Sequence, residues 1–446
     1  MIELYIVLGC LCILVTLFVY IRLQWPFWSI QPVFHVYDMW RYWSRRPFQI
    51  QYGTALKTKF TDFDHVVTVP FADLTDERLG HMVDLLQCHY IPTDRILTLI
   101  DTSIIRTLLT GHSQPSYVSF YCEPHYEIVY DGSGGTLTEL DPLSSAGAKV
   151  KPTIQEIGCM SARPIRLFLW DYGQQFAKHS VYFWDHICIH RNHVSKPWTK
   201  HLIQTHEYMQ RLKNPNIPIS LFRKEQALCE GIVPLVQFNI YTFSLRTIRP
   251  PPLPPHVTVT RLSSGDIGIL SDFLYNCTST PQSMRKGVYH CTSTDARRPL
   301  FTLCAFPELG SIDGLLKHPI WYVYAIRRKY QIYGMYFLKN AATNFEDVDQ
   351  GNLLECMATI SMVPGQDDNL FFAGFLHTLY NIMSLRGKDD PVYRMISFTD
   401  LSHTGRLLET WRWKYSPVFE NPAAYYIYNM VVPKMPLSKE TCMILL

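Results

Sequence analysis

Residues 185–203, DHICIHRNHVSKPWTKHLI, bring Cys, His, Ser, Lys and Arg into one short stretch. Three chemistries use such a set. Cys188, His190 and His193 are metal-ligand types, but no second Cys/His pair stands at finger spacing. Cys188 could act as a nucleophile with His190, which shares its strand face, as the base. Arg191, Ser195 and Lys196 could hold an anion. VYFWDHICIH (181–190) reads as a strand and RNHVSK as a basic turn, and Trp198, Leu202, Thr205, Met209 and Leu212 recur at helical spacing. A basic turn entering a helix offers unpaired N–H groups and positive dipole, which suits a pyrophosphate. A plain solvated turn satisfies the same pattern.

The elements that position this stretch repeat along the chain. HVVTVPFADLTDERLGHMVDLL (65–86) and HVTVTRLSSGDIGILSDFL (256–274) each read as a strand, a capped loop and a helix. Leu79, Met82, Val83 and Leu86 mark the first helix face, and Ile267, Leu270 and Leu274 the second. Starts about 190 residues apart predict two domains of one fold and not a short-period solenoid. RPPPLPP (249–255) between them reads as an extended linker. IWYVYAI (320–326) and YYIYNMVV (425–432) are dense in strand formers, and 132–150 reads as a mobile loop. The class is therefore α+β, or α/β with mixed sheets.

The 446 residues carry a net charge of +3, which gives no support for nucleic acid as a partner. Twelve cysteines without paired spacing read as reduced thiols facing the cytosol. Leu4 to Ile21 is uncharged and just long enough to cross a hydrocarbon core. No basic region precedes it and no small-residue cleavage site follows, so a cleaved signal fits less well. Arg22, Arg41, Arg45 and Arg46 follow it, against Glu3 before it, which predicts a single-pass anchor with the body in the cytosol.

Residues 185–203 also resemble the N-myristoyltransferases, whose usual form here is close to NFLCVHKKLRSKRLAPVLI. Cys188, His190, Ser195, Lys196, Leu202 and Ile203 are identical in an ungapped match. PFWSIQPV (26–33) is similar to that family's FWxTQPV, LLQCHYIPTD (85–94) to LLNENYVEDD, CEGIVP (229–234) to TAGVVLP, and YYIYNM (425–430) to YYLYNW. The order is kept from about residue 25 to residue 446.

The resemblance implies two tandem GNAT-like acyltransferase domains related by a pseudo-twofold, and the apolar run Leu4 to Ile21 places one transmembrane helix before them, an addition unusual for the family. Together they divide the chain into an anchor (1–24), an acyl-CoA half (25–248), the linker (249–255) and a half with the peptide groove and catalytic terminus (256–446). It implies direct transfer of a myristoyl group from myristoyl-CoA, a co-substrate and not a resident cofactor, to a protein's N-terminal glycine. On it, the amides of His186 and Ile187 form the oxyanion hole, and Leu446 supplies the base through its terminal carboxylate. Ser195, Lys196 and Thr199 grip the CoA diphosphate, Phe27 and Trp28 pack against the cofactor, and Cys188 is a core residue. Asp94, Asp185, Cys229, Gly231 and Glu420 fall at positions facing the substrate, and no metal is implied. The apolar ending CMILL predicts a buried carboxylate whose proton affinity is raised by desolvation unless it finds a partner.

Several residues depart from the family pattern. Asp185 replaces an Asn, and Cys229 replaces a Thr and is a weaker acceptor. Val194 and Pro197 replace basic residues of the phosphate loop, and an acidic run is reduced to Asp94. The glycine-rich KFGxGDG has become KYSPVFEN, with Glu420 at its Asp. These changes bear on the diphosphate grip and on the choice of peptide. The readings from other classes are a GNAT-like transferase with a different acyl group or amine, and a non-catalytic membrane scaffold.

Overall fold

The computed structural model describes residues 2–91, 96–130, 148–171, 175–194, 196–245, 247–278, 299–345, 351–362, 367–385 and 391–446. Asp94, Ser195 and most of the loop expected at 132–150 lie outside them. The chain begins with α1 (Ile2–Gln24), β1 (Phe48–Gln49), β2 (Val66–Pro70), α2 (Asp76–His89), β3 (Ile96–Thr98) and α3 (Thr102–Leu109). There follow β4 (Tyr117–Tyr130), β5 (Ala148–Asp171), β6 (Gln175–Ile189), α4 (Trp198–Lys213), β7 (Ser220–Glu225) and β8 (Val236–Ser244). The second half opens with β9 (Val257–Leu262), α5 (Ile267–Cys277), β10 (Leu303–Pro307), α6 (Leu309–Lys317), β11 (Trp321–Arg328) and β12 (Gln331–Phe345). It closes with β13 (Gly351–Ser361), α7 (Asp368–Met383), β14 (Tyr393–Thr399), α8 (Thr404–Arg412), β15 (Phe419–Tyr428), β16 (Met430–Val431) and β17 (Cys442–Ile444).

The two strand–loop–helix starts form as β2–α2 and β9–α5. Thr75 caps α2, its hydroxyl accepting from Arg78 N–H, and Leu79, Met82, Val83 and Leu86 are buried beneath it. In the second start Ser263 and Asp266 make a capping box, and Leu270 and Leu274 are buried. Each start leads to three antiparallel strands or their equivalents, then a helix and a parallel return. In the first half β4, β5 and β6 pair antiparallel, and β7 returns parallel to β6 after α4. In the second, β11, β12 and β13 do the same, and β14 returns parallel to β13 after α7.

The halves then exchange strands. β8 pairs β14 of the second half, β15 pairs β7 of the first, and β8 and β15 pair with each other at the centre. One mixed sheet thus runs through both halves, the α+β class with two related halves that the sequence led us to expect.

These two parallel pairs come apart along their length. β6 and β7 are paired only over Tyr182–Trp184, and β13 loses β14 after Cys356. A strand that parts from its neighbour leaves backbone groups and a cleft for something other than a strand. At the far edge β17 runs parallel to β10, which lies on β5. Its side chains alternate between two cores. Cys442, Ile444 and Leu446 pack with Leu167, Leu221 and Tyr425, while Met443 and Leu445 pack with Phe337 and Met357. The last residues are therefore buried between the halves.

The α4 face is buried at Trp198, Leu202 and Thr205, but Leu212 is exposed, because in the last turn the buried side passes to Gln210 and Arg211. α1 stands clear of the body. Its Tyr5–Gln24 segment has a mean hydropathy of 2.6 and none of it is buried, and at roughly 1.5 Å per residue it is long enough to cross a membrane.

Candidate functional site

The opening stretch sits where β6 parts from β7. Between the pairs Ser161↔Asp185 and Cys159↔Cys188, β6 has two residues, His186 and Ile187, against Met160 alone on β5. This is a β-bulge, and His186 takes a left-handed φ of 53° to make it. Ile187 has no register partner on β5. The His186 amide donates to Asp185 Oδ1 at 2.9 Å, and the imidazole Nδ1 meets Ser161 Oγ at 2.8 Å. Burial, with Arg163 and Lys339 nearby, holds the His186 imidazolium pKa below its usual value, although Asp185 opposes this.

Around the bulge lies a set of charges drawn from both halves. Arg163 on β5 is buried and stands 3.7 Å from Asp185. Its Nε and Nη1 are buried without a protein partner. Lys339 on β12 reaches Glu355 of β13 at 3.2 Å and donates to the Leu446 main-chain oxygen at 2.9 Å. Arg223 on β7 bridges Glu355 at 3.0 Å and Glu225 at 2.7 Å. Burial works against the charge on Glu355, but Lys339 and Arg223 outweigh it and bring its pKa down to about 2. Burial likewise opposes Asp185, and His186, Arg163 and Lys339 together pull its pKa below normal. Tyr90 joins from the end of α2, partly exposed, with its ring 6.4 Å from that of His186.

Two carboxylates, half-buried Asp185 and buried Glu355, thus face three cations, Arg163, Arg223 and Lys339, while the Glu225 side chain is 48% exposed to solvent.

The terminal residue was expected to be buried, and it is, at 6% exposure. It does not lie in an apolar setting alone, because Lys339 partners it. Sequence reasoning did not single out Lys339, Arg223, Glu355 or Arg163. The available signal was a lone charge inside an apolar strand run, as in IYGMYFLK (332–339) and LLECMATI (353–360).

The other candidates are more scattered. Cys188 is buried, with its thiol 3.5 Å from the Leu85 carbonyl, while His190 packs on His89 with ring centroids 4.0 Å apart. Neither the nucleophile pairing nor the metal set is assembled. Lys196 lies over the Trp198 ring at 4.2 Å, and Thr199 is in the first turn of α4, so the basic turn does meet a helix N-terminus. Phe27 is buried against Phe60, with centroids 5.2 Å apart, and Trp28 stacks on Phe222 at 5.7 Å.

Cys229 N–H donates to the Tyr426 hydroxyl at 3.0 Å, and burial raises its thiol pKa to about 11. Gly231, at φ 77°, is covered by the Trp25 indole, which a Cβ there would meet at 2.6 Å. Glu420 is exposed at the outer end of β15, five residues from Tyr425 and so roughly 16 Å along the strand. Gly231 and Glu420 are not brought to the charged cluster.

No family model and no curated protein matches the sequence. Solved structures do match. Saccharomyces cerevisiae N-myristoyltransferase with bound myristoyl-CoA superposes with a TM-score of 0.60 at 9% identity, over 92% of this chain and 93% of that one. A second structure of that yeast enzyme with myristoyl-CoA gives 0.61 at 11% identity, over 94% and 90%. A third, with myristoyl-CoA and inhibitors, gives 0.58 at 10%, over 94% and 91%. The chain has the N-myristoyltransferase fold. The fold extends over nearly the whole of both chains.

Proposed function

We propose that the protein is a membrane-anchored acyltransferase that moves a myristoyl group from myristoyl-CoA to the N-terminal glycine amine of proteins. The observation that carries this reading is the burial of Leu446 beside Lys339, in a charged cluster next to the β6 bulge. An N-terminal amine arrives as an ammonium, which Asp185 and the terminal carboxylate would attract. The terminal carboxylate takes one proton, freeing a lone pair on nitrogen. The amine then attacks the thioester carbonyl carbon. Negative charge grows on the carbonyl oxygen, and the Ile187 amide and the unpartnered Arg163 donors suit its stabilisation. The carbonyl re-forms, the C–S bond breaks, and the amine's second proton leaves with the thiolate as CoA thiol.

Lys196, Thr199 and the first turn of α4 are proposed to hold the CoA diphosphate. Phe27 and Trp28 are proposed to line the acyl-CoA site. α1 is read as the anchor, with Arg22 and the basic residues after it keeping the body in the cytosol.

A second reading, an acylation of some other amine, draws on two observations. The His186 amide is held by Asp185, and Trp25 fills the place at Gly231. Both alter positions that the resemblance gives to oxyanion and glycine recognition. Native mass spectrometry of the full chain in detergent separates the readings. A co-purified tetradecanoyl-CoA, and a tetradecanoyl mass gain on Gly-initiated but not Ala-initiated peptides, is expected. A short-chain CoA ester supports the second reading, and neither ligand nor product leaves a scaffold.

A further inference from the structure

The region just after α1 has a surface that the transfer reaction does not use. Met39–Trp43 form one short 3₁₀ turn that leaves Met39 67%, Trp40 64% and Trp43 83% exposed. These side chains face outward because the turn is held from behind. Arg41 donates to the Val33 carbonyl at 2.8 Å and bridges Asp38 at 2.9 Å, and the Tyr42 ring packs on Phe34 at 4.6 Å.

The turn also lies next to the end of α1. Trp25 stacks on Tyr37 at 6.3 Å and 11°, and the same indole is seated on Gly231. The helix is thereby fixed to the body beside this surface.

Charge runs the same way. From residue 22 to residue 61 the chain carries Arg22, Arg41, Arg45, Arg46, Lys57 and Lys59, and Asp38 is its one acid. Asp38 is engaged by both Arg41 and His35. Arg45 and Arg46 are exposed.

We propose that Met39, Trp40 and Trp43, flanked by Arg45 and Arg46, form a second membrane contact that seats the body on an anionic phospholipid surface. The proposal rests on the reading of α1 as a membrane span. Indole rings partition to the headgroup level, with the ring in the acyl boundary and the N–H in water. Arginines near an anionic leaflet are drawn to its negative surface potential. A span alone leaves the body free to swivel, and this contact fixes its tilt.

The test is hydroxyl-radical footprinting of the full chain in nanodiscs of phosphatidylcholine and phosphatidylserine at 7:3 (about that ratio, enough for an anionic surface). Trp43 and Trp413 are nearly equally exposed in the fold, at 83% and 90%. Trp43 is expected to be labelled about fivefold less than Trp413, as an interfacial indole should be. In the Arg45→Ala/Arg46→Ala chain the two rates are expected to approach each other. Equal labelling of the two indoles in the unaltered chain overturns the proposal. Protection of Trp43 that disappears in discs holding a single copy also overturns it, because a second chain is then the cover. Tyr5 and Tyr20 separate the underlying reading: if they label freely, α1 is not in the bilayer. If they are protected while Trp43 labels freely, only the second contact fails.

Discussion

Lys339 joins the chemistry of the site to the stability of the molecule. Its ammonium partners both Glu355 and Leu446, two carboxylates that are otherwise buried beside apolar strands. Lys339→Met should leave both without that partner and cost about 2–3 kcal/mol, below the roughly 3–5 kcal/mol for breaking a fully buried pair because Lys339 keeps some solvent. Urea unfolding of the detergent-solubilised chain measures this, and Lys339→Arg should recover most of the loss. A second residue-scale prediction concerns acid. His206 accepts or donates against Ser119 Oγ at 2.7 Å, and His403 Nδ1 accepts the Ser361 amide at 3.0 Å. Burial lowers the pKa of each to about 3. The unfolded chain takes up these protons near pH 6.5 while the folded chain refuses them. Their stabilisation is therefore complete above that pH and is lost progressively as pH falls towards 3. The thermal midpoint should begin to drop near pH 6.5, and His403→Gln should flatten the decline. A midpoint level down to pH 5 contradicts this.

At the level of elements, the strand, the basic turn and the helix of residues 181–213 were legible because each is local: a run of strand formers, a charged turn, a helical period. The two strand–helix starts were legible for the same reason. The bulge was not. A histidine at positive φ is uncommon, and what holds this one is Asp185 on its amide and Ser161 on its ring, the second a cross-strand contact. Nor was the role of Gly231, which depends on Trp25 some two hundred positions away in sequence. Valine at 231 has to displace that indole and adopt a left-handed backbone, at a combined cost of about 2–4 kcal/mol. Gly231→Val should loosen the junction between α1 and the body. Trypsin should then cut after Arg22 at least several-fold faster in nanodiscs, with an unchanged rate arguing against the Trp25 seat.

Across the whole molecule, the charged site exists only because the halves interlock. Arg163, Asp185 and Arg223 come from β5, β6 and β7, whereas Lys339, Glu355 and Leu446 come from β12, β13 and the chain's end. No short stretch of sequence contains the set, which is why the resemblance pointed to the last residue but not to the cations around it. Burial of β17 between two cores delivers that last residue to the site. The most direct measurement compares the full chain with one extended by a single glycine after Leu446, which moves the carboxylate without removing a side chain. The account predicts that the extended chain still binds tetradecanoyl-CoA but acylates a Gly-initiated peptide at least a hundredfold more slowly, on the order expected for loss of a general base. Transfer at the unextended rate, with binding intact, would contradict it.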